Sequence, residues 1–252
     1  MLDVAARIRA AAVDPELRAA AAERWAEIAP GLFDAANHER KPGTLRISDA
    51  GQCVRKLWHL ARGEEEKFSP EVQLDNLDNG TLIGAWRMCL LAASLADEGY
   101  YVELEPEVEH DGTPGHIDLY YRYLGYQVNE QGVVEHKVTM WPRALTDPEQ
   151  RARYQCLQAA KYAAAKGVED FAIMTSGPAS PDKLRVDWFR LGDWQHALIG
   201  EGLRLQAALG PVEPEGDPDA PWRCRGCLVK QCPKNPDFQP DVSEQLKASL
   251  HA

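Results

Sequence analysis

The sequence predicts an α/β protein, and three features carry that reading. Apolar residues recur at helical spacing through the first hundred residues, the period changes to two at Tyr100, and a helix with complete end signals then separates further strand-like runs. A helical arm over 1–44 precedes this core, which spans 45–252 and ends in a cluster of cysteines.

The arm reads as two short helices, Leu2 to Ala12 and Asp14 to Ile28, with Asp14-Pro15 as cap and first-turn proline and Pro30-Gly31 as the close. The stretch Arg46 to Arg62 sets Leu57, Trp58 and Leu60 among Arg55 and Lys56, and Gly80 to Ala96 is an apolar, Ala-rich helix stopped by Glu98-Gly99. From Tyr100, Val102, Leu104 and Val108 alternate with Glu103, Glu105, Glu107 and Glu109, the pattern of a half-buried strand whose glutamates face water. Strands follow at His116 to Tyr123 and Val133 to Met140, joined through Gly125, Asn129 and Gly132, so that three strands form a meander.

Asp147 caps the next helix, Pro148 occupies its first turn, Gln150 closes a capping box, and Gly167 ends it after Lys166. Phe171 to Thr175 and Leu184 to Leu191 read as strands, Trp194 to Leu209 as a helix, and Pro211 to Pro221 as a proline- and acid-rich linker.

The 252 residues, 44% hydrophobic and 27% charged, suffice for one compact unit. No run approaches the roughly 18 apolar residues of a membrane helix. The first residues mix Asp and Glu with Arg, unlike a signal peptide, so a soluble, cytoplasmic protein with no membrane partner is expected. The net charge of -11 gives no overall attraction to nucleic acid; a DNA-binding role therefore requires a local basic groove. Three of the six cysteines crowd between 224 and 232, which in a reducing compartment points to metal more than to disulfides.

Alternation along Val133 to Met140 puts Glu135 and Lys137 on one face and Val134, His136 and Val138 on the other, with burial needed on one face only. A hairpin can bring Asp118 opposite Glu135. Two adjacent carboxylates repel unless a divalent cation lies between them, and oxygen ligands suit magnesium or manganese. Such an ion holds a phosphate and activates water while a neighbouring lysine stabilises developing charge. The same three residues also fit a surface ion pair. On the following helix Tyr154, Gln158 and Tyr162 share one stripe, accompanied by Arg151, Arg153 and Lys161. That stripe is either an amphipathic face or a lining that meets the DNA backbone.

A strand with Asp, a strand with Glu-x-Lys and a helix with Gln-x-x-x-Tyr resemble the RecB-like branch of the PD-(D/E)XK nucleases, over about Arg46 to Cys232. The resemblance implies a restriction-endonuclease-like core, a central mixed sheet flanked by helices. It also implies metal binding by Asp118, Glu135 and the main-chain carbonyl of His136, catalysis by Lys137, and Gln158 and Tyr162 as an accessory motif. DNA contacts are then expected from Arg55, Lys56, Tyr154 and Lys161. One departure stands out: relatives commonly carry a histidine ligand four residues after a glycine on the helix before the sheet, and Gly80-Thr81-Leu82-Ile83-Gly84 ends in glycine. Glu105 or Glu107 are candidate substitutes, although the glutamate ladder reads more simply as a solvated face.

Cys224-Arg225-Gly226-Cys227 and Cys232 give C-x2-C-x4-C, and a closed site needs a fourth thiolate. Cys89 and Cys156 lie in helices, where cysteine usually acts as a small hydrophobe. One early cysteine, Cys53, with three late ones resembles the CRISPR-associated Cas-four-like nucleases and the AddB nuclease domain, which implies a 4Fe-4S cluster on Cys53, Cys224, Cys227 and Cys232 that staples the ends of the domain. The last gap is one residue shorter than is common there, and the same ligands suit zinc.

The expected function is a metal-dependent DNA exonuclease acting on single strands or ends, in recombination, repair or phage DNA metabolism. The alternatives are a non-catalytic DNA-binding or recombination-assembly protein that keeps the fold, a nuclease of CRISPR spacer acquisition, and a zinc-stabilised interaction domain. The partner is DNA, with a homo-oligomer or a recombination protein as further possibilities.

Overall fold

The structure, a computed structural model, describes residues 2–32, 43–63, 70–125, 130–138, 153–177, 180–216, 227 and 232; of 70–80, 153–154 and 180–183 it describes the backbone alone. The expected cap at Asp147, Pro148 and Gln150, the strand end at Thr139-Met140, the side chains of Arg151, Arg153 and Tyr154, and Cys224 lie outside the described residues. Two compact units follow boundaries other than 44/45: Met1–Glu39, Arg46–Gly51 and Pro70–Glu201 make the first, and Arg40–Leu45, Gln52–Ser69 and Gly202–Ala252 the second.

The first unit holds the sheet. Helices α1 (Val4–Val13) and α2 (Pro15–Leu32) start on aspartate caps: Asp3 accepts from the Ala6 N–H, and Asp14 from those of Glu16 and Leu17. Pro30 lies inside α2 and does not end it. These helices bury Val4, Ile8, Ala11 and Ala21 in the core that also contains Met88, Leu91 and Leu95 of α4 (Pro70–Asp97), and Trp25 meets Trp86 edge to face at 6.4 Å. The arm is therefore part of the core.

Strand β1 (Tyr100–Leu104) stops at Glu105, whose φ of 50° takes the backbone into the left-handed region, and β2 (Glu107–His110) pairs instead with β3 (Thr113–His116) in a small separate sheet. The single strand expected through the glutamate ladder is thus two. β4 (Leu119–Tyr123), β5 (Gln131–Val138), β6 (Asp170–Gly177) and β7 (Ser180–Arg190) complete a five-stranded mixed sheet in the order β1-β4-β5-β6-β7. β1, β4 and β5 form the expected antiparallel meander. β6 runs parallel to β5, and the crossover this demands contains helix α5 (Arg153–Lys166). Gly132 is required here, because a Cβ would meet the Asp170 carbonyl and the Tyr121 hydroxyl at 2.8 Å.

Helices cover both faces. Val134, Ala172 and Met174 face α4, while Val133, Phe171 and Ile173 face Ala159, Ala160 and Ala163 of α5. The expectation that one face of β5 stays open is corrected: residues 132–136 are all buried. This is the α/β architecture expected, a mixed sheet flanked by helices. Among the described residues no helix is long and apolar enough to cross a membrane.

The second unit has its own small core of Leu45, Leu57, Leu60, Ala61, Leu205 and Ala208 around helix α3 (Val54–Ala61). Trp58 donates to the Gly210 carbonyl, and the Arg62 guanidinium lies 3.6 Å above the Trp58 ring.

Candidate active site

A cavity of about 670 Å3 opens in the first unit at the end of β5, lined among others by Glu105, Asp118, His136, Lys137 and Tyr162, with Arg46 and Ser48 and the last turn of α2 on its wall. Its chemistry follows from the register. Leu119 pairs with Val134, so Asp118 falls opposite Glu135 one step beyond the last paired position, as the hairpin argument expects. The Asp118 Oδ2 accepts the His136 N–H at 2.5 Å.

Glu135 is 2% exposed. Its Oε1 accepts from Lys137 Nζ at 2.5 Å and from Gln158 Nε2 at 2.8 Å, while Oε2 is buried with no hydrogen-bond partner among the described residues. Burial, and then repulsion from Asp118, pushes the Glu135 carboxyl up; Lys137 pulls only partly the other way. Asp118 is pushed up by burial against the opposing pull of Lys137 and the His136 N–H, and Glu105 by burial and the charges of Asp118 and Glu135.

α5 places the accessory motif. Ala159, Ala160 and Ala163 let the helix approach the sheet, and Gln158 and Tyr162 extend from it toward Glu135. Gln158 also donates to the Tyr162 hydroxyl at 3.2 Å, and the Tyr162 ring sits so close to Gly115 that a Cβ there would lie 2.9 Å away. Both side chains are buried, at 6% and 3% exposure. Gln158 holds Glu135 and donates to Tyr162, whose side chain lines the cavity as the cleft reading expects.

The remaining expected contacts divide. Lys161 is 2% exposed and donates to Thr113 Oγ1 at 2.9 Å among the charges of Glu201, Asp111 and Asp49, which removes it from any DNA-facing surface. In the second unit Arg55 is ion-paired with Glu213 at 2.6 Å, so its charge is already matched, and Lys56 is half-buried. Cys53 begins α3 and is half-buried, Cys227 is half-buried and Cys232 buried; all three belong to this unit.

Sequence reasoning offered Glu105 only as one of two possible substitutes and did not place the His136 ring. Glu105 sits in the cavity and not on a solvated face, because the chain turns at Glu105-Pro106; the proline ending the alternating run was the available signal. The His136 ring points to the α4 side, where it lies over Gly84: a Cβ on Gly84 would come within 2.7 Å of Nδ1. Burial and the charges of Arg87 and Lys137 lower the His136 pKa to about 3, which keeps the ring neutral.

The donor set fits a hard divalent cation. A buried carboxylate oxygen with no hydrogen-bond partner among the described residues, beside a second carboxylate it repels, is what such an ion relieves, and both carboxylates offer oxygen. Among the described residues no three His, Cys, Asp or Glu side chains converge closely enough to enclose an ion. Magnesium keeps several waters and needs only one or two carboxylates.

No family model matches the chain, and no curated protein does. Among solved structures the fold is similar to the crystal structure of SSO0001, at 15% identity and a TM-score of 0.48, covering 82% of this chain and 95% of that one. It is also similar to an alkaline exonuclease, LHK-Exo from Laribacter hongkongensis, at 14% identity and a TM-score of 0.42, covering 71% and 92%.

Proposed function

We propose that the chain is a divalent-metal-dependent deoxyribonuclease, an exonuclease working on single strands or DNA ends in recombination, repair or phage DNA metabolism. The observation that carries this reading is the unpartnered, buried Glu135 Oε2 facing the charge of Asp118, with the Lys137 ammonium on the same carboxylate. Asp118, Glu135 and the His136 carbonyl would hold magnesium or manganese, which when bound supplies Lewis-acid activation of a phosphate and a water. Gln158 fixes the Glu135 rotamer, the His136 N–H fixes Asp118, and Lys137 stabilises negative charge developing on the phosphate oxygens. The four cysteines Cys53, Cys224, Cys227 and Cys232 would carry a 4Fe-4S cluster with a structural role.

The test is cleavage of end-labelled single-stranded DNA by protein purified without oxygen, with manganese or magnesium added. Cleavage that is lost in Glu135→Ala and Lys137→Ala is the expected outcome. Inactivity with both ions, or activity untouched by those substitutions, would overturn the proposal.

A further inference from the structure

A polar chain runs from the cavity into the α4 side of the sheet. Arg87, 5% exposed, donates from α4 to the Ser176 hydroxyl and, at 3.4 Å, to the Gly177 carbonyl at the end of β6. Ser176, fully buried, meets His136 Nε2 at 2.7 Å. The same residue, His136, donates its backbone N–H to Asp118 on the neighbouring strand.

A buried guanidinium is costly unless something answers its charge. Arg87 has no carboxylate within ion-pair distance among the described residues, and burial alone lowers its pKa. Among the described residues its hydrogen bonds go to one hydroxyl and one carbonyl. Guanidinium is donor only, so Ser176 Oγ must accept from it, and that fixes the hydroxyl oxygen against the imidazole. Gly84 closes the other side. With 2.7 Å between a Cβ there and Nδ1, the ring fits only over a residue with no side chain. The ring is thus gripped between a hydroxyl on β6 and the bare backbone of α4, and its own main chain carries the hydrogen bond to Asp118.

We infer that Arg87, Ser176 and Gly84 are positioning residues for Asp118: they lock the His136 ring and so hold the His136 amide on the Asp118 carboxylate. Among the described residues none of the three hydrogen-bonds a carboxylate. They act through the strand, as groups behind a ligand commonly do when they set its orientation and thereby the affinity for the ion. The metal-binding part of this inference rests on the function proposed above, whereas the geometric part does not.

The experiment uses the full chain with Ser176→Ala, which removes the hydroxyl, and Gly84→Ala, which displaces the ring from the other side. Retained circular dichroism and a cooperative thermal transition identify the folded variants. In metal-free protein, amide hydrogen exchange of His136, read residue by residue by NMR, is expected to accelerate by about tenfold or more in either folded variant, with Val133 and Val134 unchanged. Manganese affinity, read by EPR, is expected to fall about 10–100-fold. Unchanged His136 exchange overturns the inference whether or not the protein proves to be a nuclease. Faster exchange with unaltered manganese affinity overturns the claim that the lock serves the site. A wild-type protein that binds no manganese refutes the proposed function instead, and the exchange rates still decide whether the lock exists.

Discussion

Glu135→Gln separates the two consequences of burying an unmatched carboxylate, because it keeps the side chain's shape and removes its charge. Burial raises the Glu135 pKa from the ordinary 4.5 to about 8 in the folded protein. The folded state therefore holds its proton more tightly than the unfolded state, and stability is full below 4.5 and lost as pH rises toward 8. Glutamine does not titrate, so the variant and the wild type should melt together at the acid end. They should diverge across that window, with the variant the more stable. Leaving one buried acceptor unsatisfied costs about 1–3 kcal/mol, and in a chain of this size each kcal/mol moves the midpoint by about 2–4 °C. A rise of roughly 5 °C is expected at the alkaline end in EDTA. Saturating manganese should reverse the order: at a hundredfold excess over its Kd an ion stabilises wild type by about 2.7 kcal/mol, and the variant lacks the ligand charge to share that gain. Differential scanning fluorimetry across pH, with EDTA and with manganese, reads both signs. A variant less stable than wild type in alkaline EDTA, or equally stabilised by manganese, would refute the reasoning.

Gln158→Leu removes the amide that holds Glu135 Oε1 and should lower kcat about 10–100-fold with unchanged circular dichroism; undiminished turnover would return Gln158 to a packing role. Lys161→Met removes the hydrogen bond to the buried Thr113 hydroxyl and should destabilise the fold by about 1 kcal/mol, measured by urea melts. The salt dependence of its DNA affinity should not change, and a reduced slope would place Lys161 back on the DNA. Cys53→Ser or Cys232→Ser should abolish the broad visible absorption of anaerobically purified protein, and a colourless, zinc-loaded wild type would remove the iron-sulfur cluster from the proposal.

The elements were legible wherever a single physical signal decided them. Asp14-Pro15 starts α2, the period change at Tyr100 starts β1, and the register that faces Asp118 with Glu135 follows from a hairpin between two alternating strands. Misreadings arose where tertiary contacts overrode the local pattern. β5 has the alternation of a one-faced strand, yet helices cover both sides, so His136 is buried as well as Glu135. Glu105 belongs to the ladder by period and to the cavity by a backbone turn that the alternation does not encode. Lys161 sits on the polar side of a sequence stripe, but Thr113 comes from a separate two-stranded sheet whose position no local signal gives. The link from Arg87 to Ser176 joins residues 89 positions apart and has no local signature at all.

The charge of the cavity bears on the choice between a nuclease and a DNA-binding protein without catalysis. Glu105 and Asp118 line the cavity with Glu135 buried beside them, and burial pushes all three carboxyls up, so ionising them together where a phosphate would have to enter is costly without a cation. Once the three are ionised, Lys137 on Glu135 and Arg46 on the cavity wall do not offset them and an incoming phosphate. A protein that only bound DNA would gain nothing by placing these carboxylates beside its substrate. With a divalent ion on Asp118 and Glu135 the local charge changes sign, so DNA affinity and metal occupancy become linked. Calcium, which binds oxygen ligands, should therefore strengthen capture of a fluorescent single strand in an anisotropy titration and lose that effect in Glu135→Gln. Equal affinity in calcium and in EDTA would mean that the carboxylates do not lie on the path of the phosphate, and would shift the balance to the non-catalytic reading.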